Sequence, residues 1–170
     1  ERGVGLDVSQ EMLERAQLGC SDLRELTFTQ ITGPRLPLPD RSQDVVISFL
    51  SFRYLDWDAI WPEVRRVLVP GGRFWLVDMV ASRATPRDLP GLVRSLARQI
   101  AAPVRTPRLA RDLRALTRHP EWAAMLARHP ARALAEYASF FERALPGCPL
   151  VTLDVSPKRR VIALDSGALP

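Results

Sequence analysis

LVTLDVSPKRRVIALD, residues 150–165, decides the architecture of this chain. Two short β-prone runs are separated only by a Ser-Pro-Lys-Arg turn, so they must pair as an antiparallel hairpin. A parallel crossover would need a dozen or more residues. The strands earlier in the chain are instead spaced by loops and helices, the order expected of a parallel, doubly wound sheet. A parallel sheet finished by an antiparallel hairpin is uncommon among α/β folds, and this combination narrows the architecture more than any other feature.

Reading back from the hairpin, Pro146-Gly147 closes a helical block that opens after Ala81. In that block Thr85-Pro86-Arg87-Asp88 has the form of a capping box with proline at the first helical position. Leu89, Leu92, Val93, Leu96 and Ile100 follow at helical spacing. Further helices are expected from Thr106-Pro107, carrying Leu109, Leu113 and Leu116, and from Pro120 and Pro130, with Trp122, Met125, Leu126, Leu134, Tyr137, Phe140 and Phe141 buried. Before the block, RFWLVDMV and DVVISFL are continuous apolar strands of the kind covered on both faces. Between them Asp56 or Asp58 opens a helix that carries Ile60, Val64, Val67 and Leu68, has Pro62 in its first turn, and ends at the turn Pro70-Gly71-Gly72. The chain begins with a strand over GVGLDV at 3–8 and a helix capped by Ser9 with Met12, Leu13 and Ala16 on its apolar face. A second strand follows at Leu26–Ile31, then a proline-rich loop, GPRLPLPD.

The 170 residues suffice for one domain with a full core, and a hydrophobic fraction of 46% with 25% charged residues is ordinary for a globular protein. The apolar runs are too short to span a bilayer, and no basic and apolar leader opens the sequence. Cys20 and Cys148 are far apart and lack metal-ligand spacing, so a reduced, cytoplasmic protein without a metal site is expected. The net charge is +5, with Lys158 the only lysine. Residues 81–145 hold twelve arginines against five acids. They lie along helical faces without a nucleic-acid motif, so the reading is a solvated surface and no nucleic-acid partner.

Three segments in this order and spacing carry a family likeness: GLDVSQEMLERA at 5–16, LPLPDRSQDVVIS at 36–48 and EVRRVLVPGGRFWLVD at 63–78. Together they resemble the class I S-adenosylmethionine-dependent methyltransferases, in particular the small-molecule group often labelled type 11. The likeness covers roughly residues 3–80, and the terminal hairpin agrees with that family's last two strands. The resemblance implies a Rossmann-like α/β sheet, mostly parallel with a C-terminal antiparallel hairpin. It implies a single partial domain: a cofactor-binding core at 1–80, a helical substrate-cap insertion at 81–146, and the hairpin at 147–170 completing the sheet. It makes the opening strand second in the family's sheet, so the first strand and its glycine loop are expected to be missing from this sequence. The 170 residues alone are then expected to bind cofactor poorly and to be inactive.

The site residues follow from the same resemblance. Asp7 ends its strand, where a carboxylate can accept hydrogen bonds from ribose hydroxyls, with Val8 and Met12 beside the adenosine. Thr32, followed by Gly33, stands where the family has an acidic residue at the adenine. Ser48 and Phe49 end the strand that lines the methionine side of the cofactor. Arg53, Tyr54, Asp78 and Tyr137 are the candidates for orienting a substrate. His119 and His129 both precede proline in RHP triplets and read as helix punctuation, so no catalytic base is assigned. Methyl transfer from a sulfonium needs chiefly in-line alignment in a dry pocket, so the absence of a triad does not oppose the assignment. The expected function is methyl transfer from S-adenosylmethionine to an O, N or C atom of a small molecule. The alternatives are a nicotinamide-dependent oxidoreductase, whose ribose Asp7 also suits, and a catalytically silent module used as a scaffold.

Overall fold

The computed structural model describes residues 2–105, 130–157 and 159–170, and within 106–129 only positions 107, 108, 111, 115, 118, 120, 124 and 127. The helices expected around Leu109, Leu113, Leu116, Trp122, Met125 and Leu126, and both histidines, therefore fall wholly or largely outside the described residues. The chain divides into two compact units, one of residues Glu1–Asp44, Leu55–Gly72 and Pro170, the other of Val45–Tyr54 and Arg73–Leu169.

The first unit begins with β1 (Gly3–Asp7), α1 (Gln10–Gly19) and β2 (Leu26–Gln30). β1 and β2 pair in parallel, from Gly3 opposite Leu26 to Asp7 opposite Gln30. Gly5 is required by this pairing. A Cβ there would stand 2.6 Å from the Phe28 ring, which lies across the strand. α1 starts as expected: the Ser9 hydroxyl oxygen accepts from Met12 N, and Leu13 is buried on its inner face.

α2 (Trp57–Val67) is capped by Asp56, whose Oδ1 accepts from Asp58 N and Ala59 N. This corrects one expectation. With Asp56 as the cap, Pro62 sits in the second turn and not the first, so its missing N–H removes an intrahelical bond. α2 nevertheless buries Trp57, Ile60, Trp61, Val64 and Val67, and that apolar face outweighs one lost hydrogen bond. The chain passes straight from Val67 into β4 (Leu68–Ala81), with no intervening loop. Gly71, at φ +82, lets the strand bend inside the PGG segment.

The proline-rich loop is gathered by one side chain. Arg66 donates from Nη2 to Leu36 O and from Nη1 to Leu38 O and to the Asp40 carboxylate, while its Nε and Nη2 grip Glu63. Glu63 Oε2 also accepts from Leu36 N at 3.0 Å. The hydrogen bonds from Arg66, assisted by Leu36 N, lower the Glu63 pKa to about 2 from its ordinary 4.5. A depressed carboxylate stabilises the fold fully above its unfolded pKa and loses that contribution as pH falls through the folded one. Thermal midpoints of the parent chain and a Glu63→Gln variant should therefore differ at neutral pH and converge as the pH drops from 4.5 toward 2.

The second unit holds most of a four-stranded sheet in the order β3-β4-β6-β5, with β3 at Gln43–Phe49, β5 at Val151–Val155 and β6 at Arg159–Ala168. β6 runs antiparallel to both neighbours: Asp78 lies opposite Ile162, and Val155 opposite Arg160. β4 and β5 are consequently parallel to each other, and the hairpin expected at 150–165 is present. The Thr85–Asp88 capping box is present too, and leads into α3 (Leu89–Arg105). The stripe Leu89, Val93, Leu96 and Ile100 is exposed, however. Among the described residues of the helix Ser95 is buried, and Gly91 lies against Val155, which a Cβ at that position would meet at 3.7 Å. α4 (Leu134–Ala144) places Tyr137, Phe140 and Phe141 on one face. These rings surround Phe52, on a 3-10 turn over Phe52–Tyr54, at centroid distances of 6.5, 6.0 and 5.6 Å, with Phe74 of β4 at 5.8 Å.

Candidate functional site

In the first unit the candidate residues gather where β1 ends. Asp7 is the last residue of β1, and its Oδ1 accepts from Ser9 N at 2.8 Å, shaping the turn into α1. Its Oδ2 has no partner among the described residues. One carboxylate oxygen therefore fixes the turn, and the other remains available. The backbone at this point is held from β2: Ile31 N donates to Asp7 O, and Gln30 Nε2 donates to Val8 O at 2.9 Å. Val8 and Met12 are 63% and 53% exposed. Core packing thus does not account for either, and two apolar side chains flank an aspartate with an open oxygen. Thr32 and Gly33 are exposed in the loop after β2, and nothing would obstruct a Cβ at Gly33.

In the second unit the candidates lie at the carboxyl ends of β3 and β4. Ser48 is buried, with its hydroxyl 3.0 Å from that of Ser51, whereas Phe49 is 66% exposed. Leu50, at φ 55, turns the chain sharply after β3, and its N–H donates to Val77 O. A non-glycine residue in this region is costly, and it sits directly before the turn that presents Arg53 and Tyr54.

Asp78 is the centre of this group and is fully buried. Its Oδ2 accepts from Arg53 N at 3.0 Å and from Tyr137 OH at 2.8 Å, and its Oδ1 accepts from Met79 N at 2.7 Å. The Arg53 guanidinium stands 3.7 Å from the same carboxylate. It also donates to Tyr54 OH at 2.6 Å and lies over the Tyr54 ring, 4.6 Å from its centroid. Arg132 Nε donates to Arg53 O at 3.2 Å. Burial first, and then the Asp78 charge, push the Tyr137 phenol above its ordinary pKa. Tyr137 therefore acts as a neutral donor to Asp78. Asp78 and Tyr137 are both without exposed surface and bond one another, with Asp78 also accepting from Arg53 N and Met79 N; Tyr54 remains 39% exposed.

Two polar groups were not among the residues singled out from sequence. One is the Arg66–Glu63 clamp, hidden because its partners lie 26 to 30 residues away in the loop. The other is Arg160, which binds Asp88 through both terminal nitrogens at 2.7 and 2.6 Å and also reaches Ser82. That pairing, with Thr85 assisting, holds the Asp88 carboxyl below its ordinary pKa. The usable signal was the Arg159-Arg160 pair placed beside the hairpin turn.

Residues 1–76 match the family model described as methyltransferase domain. Among curated relatives, the ubiquinone/menaquinone biosynthesis C-methyltransferase UbiE of Caulobacter sp. (strain K31) is 53% identical over 51 residues, 29% of this chain and 20% of that protein. The uncharacterized methyltransferase YcgJ of Bacillus subtilis (strain 168) is 35% identical over 81 residues, 46% of this chain and 32% of that protein. Among solved structures, a SAM dependent methyltransferase from Aquifex aeolicus superposes with a TM-score of 0.56 at 15% identity, over 96% of this chain and 68% of that one. The Bacillus YcgJ structure gives 0.55 at 18% identity, over 99% and 82%. Residues 1–76 thus resemble a methyltransferase domain, and the chain shares its Rossmann-like fold with these solved methyltransferases. The matches span only 20% and 32% of the lengths of these two curated relatives. Among the described residues no helix is long and apolar enough to cross a membrane.

Proposed function

We propose that this chain forms part of an S-adenosylmethionine-dependent methyltransferase acting on a small molecule, and that Asp7 is its ribose-binding residue. The observation that carries the reading is the open Oδ2 of Asp7 at the end of β1, flanked by exposed Val8 and Met12, inside the segment that matches the methyltransferase family. A carboxylate oxygen at this place accepts hydrogen bonds from ribose hydroxyls. Val8 and Met12 cover the adenosine, Thr32 and Gly33 border the adenine, and Ser48 and Phe49 contribute to the methionine side. The cofactor, when bound, supplies an electrophilic sulfonium methyl group. The chain's own residues align the acceptor and exclude water.

On this reading Arg53 and Tyr54 orient the acceptor, while Asp78 and Tyr137 are positioning residues that hold the turn bearing them. The helical segment within 81–146 serves as the cap over the acceptor. No glycine-rich phosphate- or amino-acid-binding loop occurs within residues 1–170 ahead of a helix, so the chain supplies only part of the grip. Calorimetry of the chain with S-adenosylhomocysteine should give a Kd near the millimolar range, about −4 kcal/mol. With a strand and a glycine-rich loop grafted ahead of Glu1, affinity should rise to the micromolar range, about −8 kcal/mol. NADH should not bind that extended chain comparably. Preferential NADH binding would favour an oxidoreductase, and binding of neither would favour a silent scaffold.

A further inference from the structure

A cavity of about 210 Å³ opens in the second unit, lined by Met79 of β4, Ser95 of α3, Asp154, Val155 and Ser156 around the end of β5, and Arg159, Arg160 and Val161 at the start of β6. Because β4 and β5 are parallel and β6 is antiparallel to both, these residues share one end of the sheet, beside the carboxyl ends of β4 and β5. Ligands of open α/β sheets collect at that end. The volume is below the roughly 300–1,000 Å³ of drug-sized sites, so the cavity fits a small ligand or one end of a larger one.

The charges in the cavity do not cancel. Asp154 is matched by Arg98, at 2.7 Å, and Arg160 is matched by Asp88 through two bonds. Arg159 is half-buried, and among the described residues its guanidinium meets only the Met79 sulfur, at 3.6 Å. A thioether is a weak acceptor, and a guanidinium fork is matched best by a carboxylate that takes two parallel hydrogen bonds. Met79, Val155 and Val161 form an apolar wall beside it. One uncompensated arginine among the described lining residues suits a single negative charge, not a dianionic phosphate.

We infer that this cavity binds the carboxylate of a small anion with an apolar body, and that Arg159 is its counter-charge. Resting on the methyl-transfer reading above, the anion is one end of the acceptor, which places the acceptor among carboxylic acids. Arg159 then selects the acceptor and takes no part in the methyl-transfer step.

The sequence contains three methionines, which makes methyl NMR direct: with the chain labelled at methionine methyls, Met79 reports the cavity and Met12 reports the Asp7 end. Titration with benzoate should move the Met79 resonance saturably and leave Met12 in place. Benzamide, its neutral analogue, should bind at least tenfold more weakly, and inorganic phosphate more weakly than benzoate. Arg159→Gln should weaken benzoate at least tenfold, and Arg159→Lys should restore part of the loss. Circular dichroism should show both variants folded, because among the described residues the guanidinium of Arg159 meets only a sulfur. An unmoved Met79 resonance would overturn the proposal. So would equal binding of benzamide, tighter binding of phosphate, or undiminished binding by Arg159→Gln. The cofactor reading stands or falls separately, on the response of Met12 to S-adenosylhomocysteine.

Discussion

Alanine at Asp78 is expected to destabilise the chain by about 3–5 kcal/mol, the usual cost of stranding one partner of a buried ion pair. The Asp78 carboxylate has no exposed surface and accepts from Arg53 N, Met79 N and Tyr137 OH. Its removal takes this acceptor from one buried and two part-buried donors, and leaves the 9%-exposed Arg53 guanidinium without its counter-charge. Buried donors that lose their partner carry the full desolvation penalty. Urea denaturation of the variant should show a large fall in midpoint with little change in slope. Asn at the same position keeps an acceptor and loses the charge, so its midpoint should fall less. Glu11→Ala, which removes an ion pair whose side chains are 70% and 71% exposed, should leave the midpoint almost unchanged. If Asp78→Ala behaved like Glu11→Ala, the cluster would not be holding the Phe52–Tyr54 turn.

Phe52→Ala is the second large expected effect, also about 3–5 kcal/mol, from lost transfer energy and the cavity left behind. Phe52 is 1% exposed and is the ring that Phe74, Tyr137, Phe140 and Phe141 share. Without it α4 loses a ring that its three aromatic residues share. Because Phe52 immediately precedes Arg53, its loss also releases the turn whose N–H reaches Asp78. The near-ultraviolet dichroism of the aromatic residues should collapse before the far-ultraviolet signal does. Phe52→Leu, which keeps most of the volume, should cost less than half as much, on the order of 1.5 kcal/mol.

Both expectations rest on contacts that the sequence could not display. Phe52 meets Phe141, and Asp78 meets Tyr137, across long stretches of chain that local periodicity does not connect. What could be read was local chemistry: the Ser9 cap, the capping box at Thr85–Asp88, the hairpin at 150–165, and Asp7 at the end of its strand. The stripe on α3 shows the limit of periodicity. Its spacing identified a helix, yet among the described residues the covered side carries Ser95, with Gly91 against Val155. Pro62 was misplaced by one turn because Asp56 and Asp58 are both competent caps, and side-chain geometry selects Asp56. At the candidate site, Arg53 and Tyr54 were identified by position, whereas the burial of Asp78 and the unmatched charge of Arg159 depend on which strands become neighbours.

The most direct test of Asp7 as the ribose residue is the methyl resonance of Met12, one turn of α1 away, during titration with S-adenosylhomocysteine. A saturable shift is expected in the parent chain, with a Kd near the millimolar range. At least a tenfold loss is expected in Asp7→Ala, the cost of about one charge-assisted hydrogen bond or more. Because Asp7 also accepts from Ser9 N, an Asp7→Asn variant should keep the turn and still lose affinity. A Met12 resonance that does not move, or that moves equally in the parent and both variants, would contradict the assignment.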